Sequence, residues 1–515
     1  MKKTAFAIML ITIISKILGF GREIALSYFY GASTITDAYL ISLTIPEVIF
    51  SFIGAGIGTG FIPMFSRIKH EQGSEVAKRF TNNLSNVLLV FCTCIIVASL
   101  LFTKPLVRIF ASGFSGEVLQ LTIHFTRVMI FAMYFTALIG IYSGYLRLHG
   151  SYLVPELTGL SFNVIMILSL LVSARTSITI LVVGTLLARA TNVFLMIPFV
   201  RRNGYRFESI LLLRDDNLKA MVRIAWPVII GTSMDQINFL LDRTLASGIA
   251  VGGVSALNYA SRLRGFVYGL FAMSISSVMY PMIARMASER NMEGLKSSLA
   301  EAIGVINLMV MPATVGAIIF AEPIVNLLFG RGAFTPEAAA MTSSALQFYS
   351  LGMLAVGLRE ILARAFYALQ DTRTPMINGL IAVVINITLN IVLSRFLGIG
   401  GLALATSIAS IVATFRLFIE LRRKIGGFGI KQITASFVKI TIASVAMGSI
   451  AGVVYSYLGQ TFGPNLSLIM AISTGALSYF VFIFFLRVPE VEYTLDSVMN
   501  RLRLRKEKSD NKFPN

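Results

Sequence analysis

Charged residues lie inside the long apolar runs of this 515-residue chain. Arg22 and Glu23 interrupt the first run, and Asp37 and Glu47 lie in the second. Each such charge costs roughly 2.5–3.5 kcal/mol at mid-bilayer, so it must face water or a partner. Arg22 and Glu23 share one helical face with Ser15, at i, i+7 and i+8. The pattern therefore predicts helices that turn polar faces toward a central cavity.

The second half of the chain supplies further intramembrane charges, namely Arg262, Arg264, Arg359 and Glu360. Arginine suits a pyrophosphate because its planar fork donates two hydrogen bonds and stays ionised. The carboxylates would hold the arginines while the site is empty. The alternative is that some pairs only lock helices together, or that charges near an interface extend into the headgroups.

A second group of polar residues predicts a cation site. Asp235 lies in the seventh apolar run, Asn386 and Asn390 are one turn apart in the eleventh, and Thr406 lies in the twelfth. One carboxylate, two amides and one hydroxyl would form an oxygen cage for a hard monovalent cation such as sodium. The alternative is ordinary polar packing between membrane helices.

Known catalytic and metal-binding motifs are absent from the sequence. It contains no HExxH, nucleotide-binding P-loop, nucleophile elbow or Cys/His metal spacing, so we predict a protein that is not an enzyme. Without a nucleotide site, transport would depend on an ion gradient or the membrane potential. The two cysteines, Cys92 and Cys94, lie at i, i+2 in an apolar run and suggest neither a disulfide nor a metal site. Two further arginines, Arg127 and Arg189, lie in apolar runs without an obvious partner.

The composition predicts an all-α polytopic membrane protein. Hydrophobic residues make up 56% of the chain and charged residues 13%, whereas soluble domains carry about 25% charged residues. Runs of about 20 apolar residues are long enough to span the hydrocarbon core. The predicted spans are 5–30, 36–65, 80–103, 121–146, 155–173, 177–200, 220–247, 253–284, 298–321, 339–367, 376–394, 400–421, 433–457 and 465–486.

The distribution of basic residues predicts the orientation of these fourteen spans. The net charge of +19 is concentrated in loops that follow even-numbered spans, which places both termini in the cytoplasm. The basic residues form no patch with interleaved aromatic residues, so the charge does not indicate nucleic-acid binding.

An internal repeat predicts how the spans are grouped. Residues 62–67 (IPMFSR) recur as residues 280–285 (YPMIAR), with equivalent positions 218 apart, and six spans separate the copies. An even number of spans keeps both halves in the same orientation. We therefore predict six-helix lobes at 1–206 and 207–424, with an amphipathic connector at 208–219. Two additional spans at 425–487 and a cytoplasmic tail at 488–515 complete the chain.

Several segments together resemble the MurJ (MviN) lipid II flippases of the multidrug/oligosaccharidyl-lipid/polysaccharide exporter superfamily. They are residues 19–23 (GFGRE), 36–39 (TDAY), 60–63 (GFIP), 259–263 (YASRL) and 368–375 (ALQDTRTP). The 6+6+2 arrangement of spans resembles that family as well. The chain departs from the family at Gly265 and Asn390, where the family pattern is acidic.

The resemblance implies a function and a set of binding residues. It implies that Arg22, Glu23 and Arg262 contact a lipid-linked headgroup, that Asp37 is essential, and that sodium binds between three helices of the second lobe. The implied activity is the transfer of lipid II from the inner to the outer leaflet by alternating access. The implied partners are lipid II, membrane lipids and the cell-wall synthesis machinery. The alternatives are a flippase for another polyprenyl-pyrophosphate-linked polysaccharide, a cation-coupled drug exporter, or a membrane-embedded enzyme acting on polyprenyl phosphates.

Overall fold

The regular secondary structure of the described part of the chain is entirely helical. A computed structural model describes residues 2–489 and 491, without the side chains of residues 2–5, 227, 228 and 230–235. The tail predicted at 488–515 and the side chain of Asp235 therefore lie largely or wholly outside the described residues. The elements are α1 (Lys2–Tyr30), α2 (Thr34–Gln72), α3 (Ser74–Leu101), α4 (Thr103–Phe110), α5 (Gly116–Met129), α6 (Ala132–Leu148), α7 (Leu153–Ser173), α8 (Ile178–Arg202), α9 (Asp216–Ile249), α10 (Gly253–Val267), a π-helix (Tyr268–Ala272), α11 (Met273–Ser288), α12 (Met292–Ile319), α13 (Ala321–Leu328), α14 (Pro336–Leu351), α15 (Met353–Ala368), α16 (Arg373–Ile425), α17 (Ile430–Leu458) and α18 (Pro464–Phe485).

These helices confirm the prediction of an all-α polytopic membrane protein. Among the described residues, ten helical segments are long and apolar enough to cross a membrane. Helices α14 and α15 form an eleventh, bent by 43°. Helix α16 holds two predicted spans, because Gly398 breaks its helical geometry with φ 54° and ψ −131°. Helices α1 and α9 have 29 and 34 residues, which is longer than the roughly 20 that a span requires. Every predicted span is therefore largely helical, although 121–146, 253–284 and 339–367 cross from one helix into the next.

The two halves repeat the same order of helices. Helices α3 and α12 each have 28 residues and begin 218 residues apart, and the eight-residue helices α4 and α13 begin 218 residues apart as well. This is the offset of the sequence repeat. The short helices are an addition to the predicted spans, and their recurrence at the same offset supports an internal duplication.

The contacts divide the chain into two compact units. The first comprises 1–256 and 328–339, and the second comprises 257–327 and 340–515. The segment 328–339 joins the first unit through the end of α1, where Ala333 N–H donates to the carbonyl oxygen of Tyr28 at 2.8 Å. A Cβ on Gly31, which has φ 64°, would lie 2.2 Å from the carbonyl oxygen of Ala333. Only glycine permits this approach. The lobes at 1–206 and 207–424 are defined by the repeat, and they remain a prediction.

Three asparagines of α3 hold the connector to the first unit. Asn82 Nδ2 and Asn86 Nδ2 donate to backbone carbonyls of residues 206, 208 and 210 at 2.8–2.9 Å. Asn83 Oδ1 accepts from Leu212 N–H at 2.6 Å. The backbone between Tyr205 and Asp215 forms no helix, so these side chains satisfy groups that a helix would have paired internally.

In the second unit, the two additional helices pack on α12. Tyr479 of α18 donates its hydroxyl hydrogen to the carbonyl oxygen of Leu308 at 2.6 Å. Apolar residues of α17 and α18 form a buried cluster around this bond, including Ile440, Met447 and Ile483. Spans 13 and 14 are thus an integral part of the second unit.

Candidate functional site

Arg22 is held by two partners in the first unit. Its Nη2 lies 2.8 Å from Glu23 Oε1, and its Nη1 donates to Asn163 Oδ1 of α7 at 3.2 Å. Asn163 in turn donates to the backbone carbonyl of Ser15 at 3.0 Å, which fixes the amide between α1 and α7. The side chain of Arg22 is 20% exposed, so the guanidinium is oriented by protein groups and still accessible.

A second arginine–glutamate pair lies beside the first. Arg189 Nη2 of α8 is 3.0 Å from Glu47 Oε1 of α2. The guanidinium carbons of Arg22 and Arg189 lie 5.5 Å and 4.9 Å from the centroid of the same ring, that of Phe162. Four helices, α1, α2, α7 and α8, therefore gather two cations and two carboxylates around one aromatic side chain. Cation–π contacts of this kind hold a guanidinium in place without neutralising it.

Asp37 has a different environment. Its carboxylate is 1% exposed, and Oδ1 accepts from the backbone N–H of Ser255 at 2.7 Å and from the Ser255 hydroxyl at 2.6 Å. Ser255 is in the first turn of α10, where backbone N–H groups have no partner within the helix. Asp37 therefore caps α10 in this conformation, and its predicted contact with a substrate remains a prediction.

The second unit holds the other predicted charges in separate contacts. The Arg264 guanidinium lies 4.2 Å from the centroid of the Tyr349 ring. Glu360 pairs with Arg364 at 2.9 Å and accepts from the Tyr268 hydroxyl at 3.2 Å. Tyr268 begins the π-helix, an irregularity that frequently occurs at functional sites. Two further predicted residues are at least partly exposed, namely Arg262 and Arg359.

Three side chains of the predicted cation site are linked in series by hydrogen bonds. Asn390 Nδ2 donates to Asn386 Oδ1 at 3.0 Å, and Asn386 Nδ2 donates to Thr406 Oγ1 at 3.2 Å. Thr406 donates to the carbonyl oxygen of Leu402 at 3.1 Å. These oxygens are of the kind that sodium prefers, and Asn386 Oδ1 and Thr406 Oγ1 each already accept one hydrogen bond. Among the described residues, no three His, Cys, Asp or Glu side chains form a metal-binding group.

Sequence reasoning missed several contributors to these contacts. In the sequence Arg189 has no obvious partner, and no pattern singles out Phe162 or Asn163, because each acts through a helix distant in sequence. Arg364 carried a local signal, since it follows Glu360 by one helical turn, where opposite charges commonly pair.

Comparisons with solved structures define the class of the protein. A structure titled "Inward-facing conformation of a multidrug resistance MATE family transporter of the MOP superfamily" matches with a TM-score of 0.69 and 16% identity, over 82% of this chain and 98% of that chain. This likeness shows that the chain has the fold of a polytopic membrane transporter. A closer match, titled "Lipid II flippase MurJ, inward closed conformation", has a TM-score of 0.81 and 25% identity, over 93% of this chain and 98% of that chain.

The sequence comparisons identify the family. Residues 26–473 match the family described as "Lipid II flippase MurJ", so the chain belongs to the MurJ family. A relative from Thermotoga maritima, named "Probable lipid II flippase MurJ", is 27% identical over 498 residues, which cover 96% of this chain and 98% of the relative. The family assignment confirms the resemblance that the sequence motifs indicated.

Proposed function

We propose that the protein flips lipid II, a lipid-linked peptidoglycan precursor, from the inner to the outer leaflet of the bacterial cytoplasmic membrane. The observation that carries this proposal is the pair of accessible arginine–glutamate contacts among α1, α2, α7 and α8. Charges inside membrane spans normally face a water-filled space that serves a substrate. Membership of the MurJ family supports lipid II as that substrate.

The proposed mechanism is alternating access without chemical change of the cargo. The site opens to the cytoplasm, where the arginines attract the pyrophosphate, and then to the outside, where the headgroup leaves. The lipid tail stays in the bilayer throughout. The protein is then a transporter and not an enzyme, with both termini in the cytoplasm, and the membrane potential or an ion gradient drives the cycle.

Sodium coupling is a separate part of the proposal. Asn386, Asn390 and Thr406 would contribute neutral oxygens, and Asp235 would contribute the charge that a monovalent cation requires. Sodium-dependent transport that is lost in Asn386→Ala would support this coupling. The cell-wall synthesis machinery is a further proposed partner, because it consumes the product in the outer leaflet.

Two other cargoes fit the same fold. A flippase for a different polyprenyl-pyrophosphate-linked polysaccharide would need the same arginines, so the cargo itself must be tested. A cationic drug exporter is favoured less, because arginines in the site repel a cation. If the protein were instead an enzyme acting on polyprenyl phosphates, the purified protein would convert these lipids into a product.

The deciding experiment is complementation of a bacterial strain depleted of all its lipid II flippases, with outer-leaflet lipid II measured by an external probe. We expect this protein to restore accessible lipid II and growth. Arg22→Ala should abolish both at normal expression, because the guanidinium that Asn163 and Glu23 orient is lost. Failure of the wild-type protein to restore accessible lipid II would point to another glycolipid.

A further inference from the structure

Arg189 is an intramembrane cation to which the proposed function has not yet given a separate role. It is the twelfth of 25 residues in α8, so it lies near the middle of a membrane-spanning helix. A charge at this depth requires a partner or a watery surface, and Arg189 has a partner. Its side chain is 28% exposed and pairs with Glu47 at 3.0 Å.

The surroundings of Arg189 mirror those of Arg22. Each guanidinium is bonded to one glutamate, and both stack on the ring of Phe162. Each guanidinium carbon lies within the roughly 6 Å of the Phe162 centroid that a cation–π contact allows. The two guanidinium carbons are therefore at most about 10 Å apart. Two fixed guanidinium groups this close can contact the two phosphates of one pyrophosphate, each with a bidentate fork.

The two glutamates differ in a way that assigns them different roles. The side chain of Glu23 is 7% exposed, whereas that of Glu47 is 58% exposed. The carboxylate of Glu47 is already mostly exposed, so it can move away from Arg189 at little cost. The carboxylate of Glu23 is buried beside Arg22, so it cannot. Glu47 is therefore suited to release Arg189 when an anion arrives, while Glu23 stays beside Arg22.

We propose that Arg189 and Arg22 together bind the pyrophosphate of the transported lipid, and that Glu47 is the exchangeable counter-ion of Arg189 in the empty site. This inference rests on the proposed function, because it assumes a pyrophosphate-linked cargo. It adds α8 to the binding site and makes Arg189 a substrate-binding residue.

The test measures binding of undecaprenyl pyrophosphate and undecaprenyl phosphate to the purified full-length protein in detergent. Wild type should prefer the pyrophosphate. Arg189→Ala should weaken pyrophosphate binding about tenfold and monophosphate binding less, because one of two bidentate contacts is lost. Arg189→Lys keeps the charge but loses the planar fork, so its affinity should lie between the two. Glu47→Gln should strengthen binding several-fold, because it removes the competing carboxylate.

Arg127→Ala is the matched control. Arg127 is an exposed arginine of α5 in the same unit, and its replacement should leave both affinities unchanged. If Arg189 only ties α8 to α2, Arg189→Ala and Glu47→Gln will change the affinity in the same direction or leave it unchanged, and the inference is wrong. If Arg189→Ala does not fold, the other two variants provide the test. The inference then requires that Arg189→Lys weakens pyrophosphate binding and that Glu47→Gln strengthens it. If wild type binds neither lipid, the proposed function itself fails.

Discussion

Two carboxylates of α2 show how position decides what the same chemical group does. Asp37 is 1% exposed and accepts hydrogen bonds from Ser255, whereas the side chain of Glu47, ten residues later, is 58% exposed and faces a guanidinium. The first satisfies N–H groups that would otherwise be buried without a partner. The second is a countercharge that an anion can displace. Asp37 is therefore a structural cap in this conformation, and Glu47 is an exposed countercharge of Arg189.

Replacing Asp37 tests this distinction. Asp37→Ala should lower the melting temperature, because the loss of a cap costs about 1 kcal/mol and here leaves a buried N–H unpaired. Asp37→Asn should retain most of the stability, because asparagine caps helices about as well as aspartate. Thermal unfolding of the purified variants measures both. Equal melting temperatures for Asp37→Ala and wild type would show that Asp37 does not act as a cap.

The residue contacts were predictable only where partners are close in sequence. Arg22 and Glu23 are adjacent in the chain, so their pairing requires no second helix. Glu47 and Arg189 are 142 residues apart, and only the packing of α2 near α8 brings them together. The sequence predicts that Asn386 and Thr406 lie in one polar cluster, and a hydrogen bond joins them. Spacing alone does not show which of their oxygens remain available to bind a cation.

At the scale of elements, Asp371 fastens the turn between α15 and α16. It accepts from Thr374 N–H at 3.0 Å, in the first turn of α16, and from Lys424 Nζ at 2.6 Å, near the end of the same helix. The hydrogen bonds from Lys424 and Thr374 lower the pKa of Asp371 from 3.8 to about 2. The turn is therefore fixed to both ends of a helix that Gly398 breaks in the middle.

The lowered pKa predicts a pH-dependent contribution to stability. Because Asp371 binds its proton less readily in the folded protein, its stabilising effect is complete above about pH 5 and declines as the pH falls toward 2. Asp371→Asn should therefore lower the melting temperature at pH 7, and the difference from wild type should shrink between pH 5 and pH 3. A difference that stays constant over this range would contradict the ion pair with Lys424.

Apolar runs predicted the long helices, but other elements lacked such a signal. The short helices α4 and α13 contain charged residues and prolines, so their existence depends on neighbours rather than on composition. The connector carries apolar and charged residues in a pattern suggestive of an amphipathic segment. Its extended backbone between Tyr205 and Asp215 depends on three asparagines more than 100 residues earlier.

At the scale of the whole molecule, the predicted orientation depends partly on basic residues at helix ends. The last turns of α8 and α16 contain basic residues, which are attracted to the negative ends of the helix dipoles. From the positive-inside rule we predict that the same residues retain their loops on the cytoplasmic side. The basic residues of these two last turns are Arg201, Arg202, Arg422, Arg423 and Lys424.

Reporter fusions test this orientation. Green fluorescent protein fused after Asn515 should fluoresce in the cell, because it folds in the cytoplasm. Alkaline phosphatase inserted between Arg175 and Ser177 should be active, since this loop follows an odd-numbered span and should face outward. The same insertion after Gly204 is the matched control and should be inactive. The reverse pattern of activities would overturn the predicted topology.

The segment 328–339 has a consequence for the order in which the protein is made. It belongs to the first unit, although the rest of that unit lies within 1–256. The carbonyl oxygen of Tyr28, at the end of the first helix, accepts a hydrogen bond from Ala333. A nascent chain must therefore emerge for about 300 further residues before this hydrogen bond can form. The first unit cannot finish folding until much of the second has left the ribosome, so the two must mature together in the membrane.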